Sequence, residues 1–441
     1  MIPSSAHRGR AIVDEAANLG LKIHLAQQNS VKFNFMNGIG PYVSLADSVL
    51  SKSTSHFHEG RSVVSPSFTI GAMDSDPARK SLQNFVTAEP NKSVPQMANL
   101  VRRAEVHEEK ATLMAFLSSY LSPDADEARY EWLYCKNPEG MARVWVVCES
   151  RTGMIIGVAA AFPRRIHCGG KEVRGYVLGD FCIHPDHRSL GPALALQKRS
   201  LEDLSGEGAG FVFDFPSTSM LAIYKRLRIE PQESVIRFAK PLRADRQIRQ
   251  RIPSKAAGRT LAVAANAAFR LRDAGLGRSN AWTISEETEP CGEEFTLATQ
   301  RWVPRMGLCA RRNADYLNWR FLQHPQRRYQ FLTARKDGRL CGFLIYHWAG
   351  EDATVVDLLG EEDAVCKALL VETIAIMRGN GVNTVSAPFL SSHAGREILE
   401  DCGFKPREST PVILLTLPWA ANRQVDQGAN CWYLTHGDRE S

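Results

Sequence analysis

No stretch of the chain approaches the roughly 18 to 20 consecutive apolar residues that a helix needs to cross a bilayer, so no transmembrane helix is expected. The opening residues, Met1-Ile2-Pro3-Ser4-Ser5, lack a charged segment leading into an apolar one, and no secretory leader is expected. No C-x-x-C pair occurs among the ten cysteines: Cys135, Cys148, Cys168, Cys182, Cys291, Cys309, Cys341, Cys366, Cys402 and Cys431. Most sit in apolar runs, where a thiol behaves as a small hydrophobe. That usage argues against a disulfide scaffold and for a reduced, cytoplasmic protein. Charge of one sign is also scarce. The chain carries +6 in all. Between Pro241 and Asn280 nine Lys/Arg face two Asp, a net of +7, so the remainder is −1. A broad nucleic-acid footprint is therefore not expected.

What is present is an ordinary globular composition, 44% hydrophobic and 23% charged, over 441 residues. That length predicts two or three domains, each with its own core. Residues 1–97 carry weak periodicity. From Ser51 to Gln96 they are rich in Ser, Pro, Thr and Asn, and a largely disordered tail is expected, with a helix near Ala11–Gly20. From Asn99 the pattern turns regular. A strand at Leu100–Val106 precedes a helix with Leu113, Phe116, Leu117 and Tyr120 on one face. Pro123 stops it, and a second helix covers Asp126–Cys135. A hairpin (Val144–Cys148, Met154–Phe162) and a strand (Gly175–Ile183) follow. Then come a helix (Ala193–Leu204), a strand (Gly210–Phe215), a helix (Thr218–Leu227) and a strand (Ser234–Phe238). Residues 241–280 read as a linker with an Ala-rich helix over Lys255–Asp273. Its ordinary reading is a solvated connecting helix; its basic face could also touch an anionic membrane surface or an acidic partner.

The same order then recurs. Trp132-Leu-Tyr-Cys-Lys-Asn-Pro138 is matched by Trp319-Arg-Phe-Leu-Gln-His-Pro325, with Trp and Pro six apart in both. Each is followed by a hairpin, with Gly157 25 residues after its Trp and Gly342 23 after. Elements at Thr354–Leu359, Asp363–Arg378, Thr384–Ala387, Ala394–Asp401 and Val412–Leu417 complete the second set. The recurrence predicts an internal duplication. Trp132 and Trp319 are expected to pack between helix and sheet.

The sharpest local signal runs from Asp180 through Cys182, Ile183, His184, Pro185, Asp186 and His187 to Arg188-Ser189-Leu190-Gly191-Pro192-Ala193. A strand enters a turn spaced R-x-x-G-x-A, and a helix leaves it. Such a turn can hold a pyrophosphate. Amides converge at a helix N-terminus, and Gly191 lets the backbone approach closely. Small Ala193 does the same. Pro192 needs no amide partner in the first turn, and Arg188 adds a charged donor. Two His flanking Asp186 without a third ligand do not predict a metal, and none is expected.

The segment resembles motif A of the GNAT superfamily of N-acetyltransferases, V-x-P-x-x-R-x-x-G-x-G/A, with Ile183 in place of valine. Tyr224-Lys-Arg-Leu227 is similar to the family's closing Y-x-x-L-G-F, with Arg228-Ile229 replacing Gly-Phe; the second half has Gly403-Phe404 but Leu399 at the tyrosine position. The resemblance implies an α+β fold of two tandem GNAT-like domains, each a mixed, mostly antiparallel twisted sheet flanked by helices. They would cover 98–240 and 281–441, joined by the basic helical linker 241–280. The second would be degenerate, because its turn, Gly360-Glu-Glu-Asp, is acidic and would repel a pyrophosphate.

It further implies an acyl-CoA-dependent N-acyltransferase, with acetyl-CoA as donor and an amine of a small molecule, amino sugar or peptide as acceptor. The cofactor contacts would be Cys182, Ile183, Arg188, Ser189, Leu190, Gly191, Pro192 and Ala193. Amides near Cys182 and Ile183 would receive the thioester carbonyl. Asp180 would be the general base, unless it caps a bulge or pairs with a basic residue. Tyr224 would be the acid for the CoA sulfur. The alternatives are an aminoacyl-tRNA-dependent transferase of the FemAB type, which generally lacks an intact pyrophosphate turn, and a non-catalytic binding protein of the same fold.

Overall fold

A computed structural model of the protein describes residues 99–418 and 432–439. The expectations for residues 1–97 lie outside these.

Local chemistry sets the elements. Strand β1 (Leu100–Ala104) is followed by helix α1 (Lys110–Tyr120), whose Leu113, Phe116 and Leu117 are buried at the i, i+3, i+4 spacing of one face. The Asp126 side chain accepts from the Arg129 amide and starts α2 (Glu127–Tyr130), which continues as a π turn (Glu131–Cys135). Strands β2 (Arg143–Cys148), β3 (Ile155–Cys168) and β4 (Lys171–Ile183) form a meander. β3 and β4 run longer than periodicity suggests because Gly169 and Gly170, both at positive φ, close a tight hairpin. Helix α3 (Leu190–Gly206), β5 (Phe211–Asp214), α4 (Thr218–Arg226) and β6 (Glu233–Pro241) complete the first half.

Helices α5 (Asp245–Arg251) and α6 (Lys255–Ala274) connect to the second half. There the order repeats: β7 (Thr283–Glu287), α7 (Glu293–Trp302), a short β8 (Leu308–Ala310), and α8 (Ala314–Leu317) running into a π turn (Asn318–Leu322). β9 (Gln330–Lys336), β10 (Arg339–Ala349), β11 (Asp352–Gly360), α9 (Asp363–Gly379), β12 (Thr384–Leu390), α10 (Arg396–Asp401) and β13 (Lys405–Thr416) follow, and β14 (Trp432–Tyr433) pairs with β8.

The strands form one continuous, mostly antiparallel sheet in the order β1-β2-β3-β4-β5-β13-β6-β12-β11-β10-β9-β7, with helices on both faces. The order contains an exchange. β13, from the end of the chain, pairs with β5, while β6 of the first half pairs with β12 of the second through Thr384–Leu390. The sequence boundary at residue 240 is thus not a boundary in space, and each half is completed by a strand of the other.

A second tie joins the halves at the matched tryptophans. Trp132 Nε1 donates to the Trp319 carbonyl at 2.8 Å, and Trp319 Nε1 donates to the Trp132 carbonyl at 2.9 Å. The rings stack with centroids 5.0 Å apart. Each Trp sits in its own π turn, so the contact is reciprocal, as between two copies related by a two-fold. The two matched turns therefore pack on each other, and both rings also belong to the core formed with β2, β3 and α1. A cleft of about 790 Å³ opens beside the pair, edged by Asp126, Glu127, Glu131 and Lys136.

Candidate functional site

The strand register builds the site. β4 and β5 pair in parallel only from Gly175–Val177 to Phe211–Phe213. β4 then continues to Ile183 along β3, whereas β5 ends at Asp214. The sheet opens between them. A bulge in β4 accompanies the opening: pairing with β3 skips between Val158 and Ala160, and Asp180 takes φ 46°, in the left-handed region.

Amide directions beyond the bulge follow from one hydrogen bond. His184 N–H donates to Ile156 of β3 at 2.8 Å. By the two-residue alternation of a strand, the Cys182 amide also points to β3, and the Ile183 amide points the other way, into the opening. Ile183 thus has a backbone donor aimed at the gap and Cys182 does not. The Cys182 side chain is a packing group: it is buried, and desolvation pushes its thiol well above the ordinary value.

At the mouth of the gap β4 gives way to a short 3-10 turn (Pro185–His187) and then α3. Ser189 stands at the N-cap, yet its side chain accepts nothing, and no acidic residue occupies the first turn. The amides of Leu190 and Gly191 lie in the part of the helix that has no intrahelical acceptor, and the positive end of the helix dipole is uncompensated. Ser189, Leu190 and Gly191 are exposed, while Pro192 and Ala193 are buried beneath them. A Cβ built on Gly191 would meet nothing within 4 Å. The glycine therefore relieves no internal crowding; it keeps the outer surface of the turn low. Arg188 is exposed and its Nε donates back to the Ile183 carbonyl at 3.4 Å, which holds the guanidinium over the end of β4.

The second half provides the internal control. Gly157 faces Ile183 across β3–β4, and Gly342 faces Gly360 across β10–β11, so Gly360 is the register equivalent of Ile183. Here the turn is closed. A Cβ on Gly360 would lie 2.5 Å from Val365. Glu361 is held by Arg339 at 2.6 and 3.0 Å, the Arg305 guanidinium donates to its carbonyl, and Asp363 opens α9. The dipole of α9 is already met by carboxylates.

Two residues expected to carry chemistry sit in buried hydrogen-bonded clusters. The Asp180 carboxylate is buried; it accepts from both terminal nitrogens of Arg129 at 2.7 and 2.8 Å and from the Tyr134 hydroxyl at 2.7 Å. Both oxygens of this carboxylate are thus engaged by charged or hydroxyl donors. Its geometry is that of a brace between the bulge and α2. Tyr224 has no solvent exposure. Its hydroxyl donates to Asp214 at 2.6 Å and accepts from Gln197 at 3.3 Å, and burial raises it well above its ordinary range. Such a phenol gives up its proton reluctantly; it ties α4 to the end of β5 and to α3.

Sequence reasoning missed these partners. Arg129 and Tyr134 are five apart, a spacing that an α-helix sends to different faces. The π turn brings both onto Asp180. Asp214 and Gln197 carry no local signal.

Comparison with known proteins accords with this geometry. A family model described as an acetyltransferase (GNAT) domain matches residues 95–230. Two solved structures share the fold. One is a conserved protein of unknown function from Enterococcus faecalis V583 described as a "Probable N-Acyltransferase", at 12% identity and TM-score 0.53, with 73% of each chain covered. The other is a GCN5-related N-acetyltransferase from Anabaena variabilis ATCC 29413, at 15% identity and TM-score 0.53, with 71% of this chain and 72% of that chain covered. No curated protein matches the sequence. The matched residues end just before β6, the strand that pairs with β12 of the second half.

Proposed function

We propose that the protein is an acyl-CoA-dependent N-acyltransferase with one donor site, in the GNAT domain. The observation that carries this reading is the contrast between equivalent turns: α3 begins uncapped, without acidic residues and open above Gly191, whereas α9 begins acidic and closed. The pyrophosphate of the donor would lie on the amides of Leu190 and Gly191 with Arg188 beside it. Its pantetheine arm would run into the gap between β4 and β5, and the thioester carbonyl would accept from the Ile183 amide. The same open turn weighs against an aminoacyl-tRNA-dependent transferase.

The chemistry then balances simply. A neutral amine attacks the thioester carbon, the N–C bond forms, and the C–S electron pair goes to sulfur. The amine proton passes to water. A thiolate is a stable leaving group, since an ordinary thiol has a pKa near about 8.5, so a protein acid is not obligatory. The protein's contribution is orientation and a fixed donor for the oxyanion, on the order of 10²–10³ in rate for one such donor. Asp180 and Tyr224 act in this reading as positioning residues. The acyl group is proposed to be acetyl and the acceptor a small molecule, amino sugar or peptide amine.

The test is free-thiol release from acetyl-CoA against a panel of primary amines. Amine-dependent release is expected. Release no faster than hydrolysis with every amine, or dependence on charged tRNA, would contradict the proposal.

A further inference from the structure

Helix α6 (Lys255–Ala274) is amphipathic in the reverse sense. A surface helix normally buries apolar residues and exposes polar ones. Here the polar residues face the protein. Asn266 accepts from the Ala244 amide at 2.8 Å and donates to Asp245 at 2.9 Å. One turn pair later on the same face, Asp273 accepts from buried Lys240 at 2.8 Å and from Arg378. Only Ala262 of the helix is fully buried.

The outward face is uncharged. At about 100° per residue, the arc from Val263 round to Leu261 spans about 160° and holds no charged side chain. Leu261 is 41% exposed, Val263 70% and Leu271 71%, with Ala264, Ala267 and Ala268 exposed between them. Arg259 and Arg270 edge this arc beside Val263, with no carboxylate partner among the described residues, and Arg272, paired with Asp273, edges it beside Leu261. A cleft of about 380 Å³ opens at the C-terminal end of the helix, with Arg270, Arg278 and Arg378 beside Leu276, Val371 and Ile374.

We infer that this face docks on an anionic lipid bilayer, with α6 lying in the plane of the interface. The apolar arc would enter the acyl boundary. The edging cations, with long apolar stems, would reach headgroup phosphates. Charge complementarity selects this occupant. Residues 241–280 carry +7, and after the pairing of Arg246, Arg249 and Arg278 with Asp352, Glu351 and Glu372 (7 − 3) an excess of +4 remains, which attracts a negative surface, and two such helices brought together as a dimer would repel. The inference is independent of the acyl-transfer reading.

The experiment is flotation of the full-length protein with vesicles of phosphatidylcholine alone or with about 30% phosphatidylglycerol, at low and high salt. Expected is binding to the anionic vesicles that weakens with salt. V263E with L271E should lower it by at least about tenfold while leaving the far-ultraviolet spectrum and thermal midpoint unchanged. R259Q with R270Q should weaken binding and flatten its salt dependence. The inference is overturned if the full-length protein does not float with anionic vesicles, or if V263E/L271E floats as well as the unaltered protein. It is also overturned if the protein sediments as a dimer that V263E/L271E dissociates.

Discussion

Consider Asp180→Asn, which separates bracing from base catalysis. In the native protein Asp180 and Arg129 form a bidentate pair with side chains 4% and 11% exposed, and Tyr134 completes the cluster. The amide keeps the size and loses the charge, so the buried Arg129 guanidinium loses the carboxylate it grips with two nitrogens. Removing one partner of such a pair costs about 3 to 5 kcal/mol. At about 2 to 4 °C per kcal/mol for a body of this size or somewhat smaller, the melting midpoint should fall by about 6 to 20 °C. Arg129→Met should fall comparably. The double variant removes both charges and should recover at least about 2 kcal/mol relative to the sum of the singles. Differential scanning fluorimetry and urea titration supply the four corners of the cycle. Activity supplies the second readout. If Asp180 only braces the bulge, the double variant should regain thiol release to within about tenfold of the unaltered enzyme, whereas loss of a general base costs about 10² to 10⁴ whatever Arg129 becomes. Additive stability losses, or a stable double variant lacking activity, would refute the reasoning.

Further expectations follow from the same contacts. Trp132→Ala should cost about 4 to 6 kcal/mol in urea unfolding, from the cavity of a buried Trp and the lost stack on Trp319. Residues 98–240 expressed alone should remain unfolded by circular dichroism, because β5 lacks β13 and β6 lacks β12; co-expression with residues 241–441 should restore structure. Acid should weaken the fold before carboxylates titrate. His393, buried against Phe389 and Tyr433, and His324 are both held down to about 3 by desolvation. The unfolded chain takes up protons near the ordinary value of about 6.5 and the folded one does not, so stability present above that value is lost as pH falls. Each group contributes a slope of up to about 1.4 kcal/mol per pH unit below 6.5. Urea midpoints between pH 7.5 and 5.5 should therefore drop, and His393→Gln should reduce the slope. A buried Asp357, raised by desolvation, works in the opposite direction, which is why the variant is compared rather than the raw profile.

Much of this architecture was legible because its signals are local. Apolar periodicity marks α1 and α9, and Gly191 with Pro192 marks a turn that only needs to be read beside its strand. The match at Trp132 and Trp319 marks two π turns that stack on each other. The strand exchange was not legible: the apolar residues of β6 and β13 state that they are strands, not which neighbour they join. Asp180 stands out in the sequence, but its contacts depend on Arg129 of α2, 51 residues earlier in the chain, and on Tyr134 of the π turn that follows. Of the two amides expected to face the thioester, only that of Ile183 points into the gap, which the register with β3 reveals. Tyr224 sits where the family pattern suggests, yet Asp214 and Gln197 give its hydroxyl other work.

The turn from Arg188 to Ala193 is proposed to hold an acyl-CoA, and its register counterpart at Gly360 is not. Isothermal titration of the full-length protein with CoA tests it most directly. One site per chain is predicted, abolished by Arg188→Glu with Gly191→Glu and unaffected by Glu361→Gln. No detectable binding, two sites per chain, or undiminished binding by the Arg188/Gly191 variant would contradict the account.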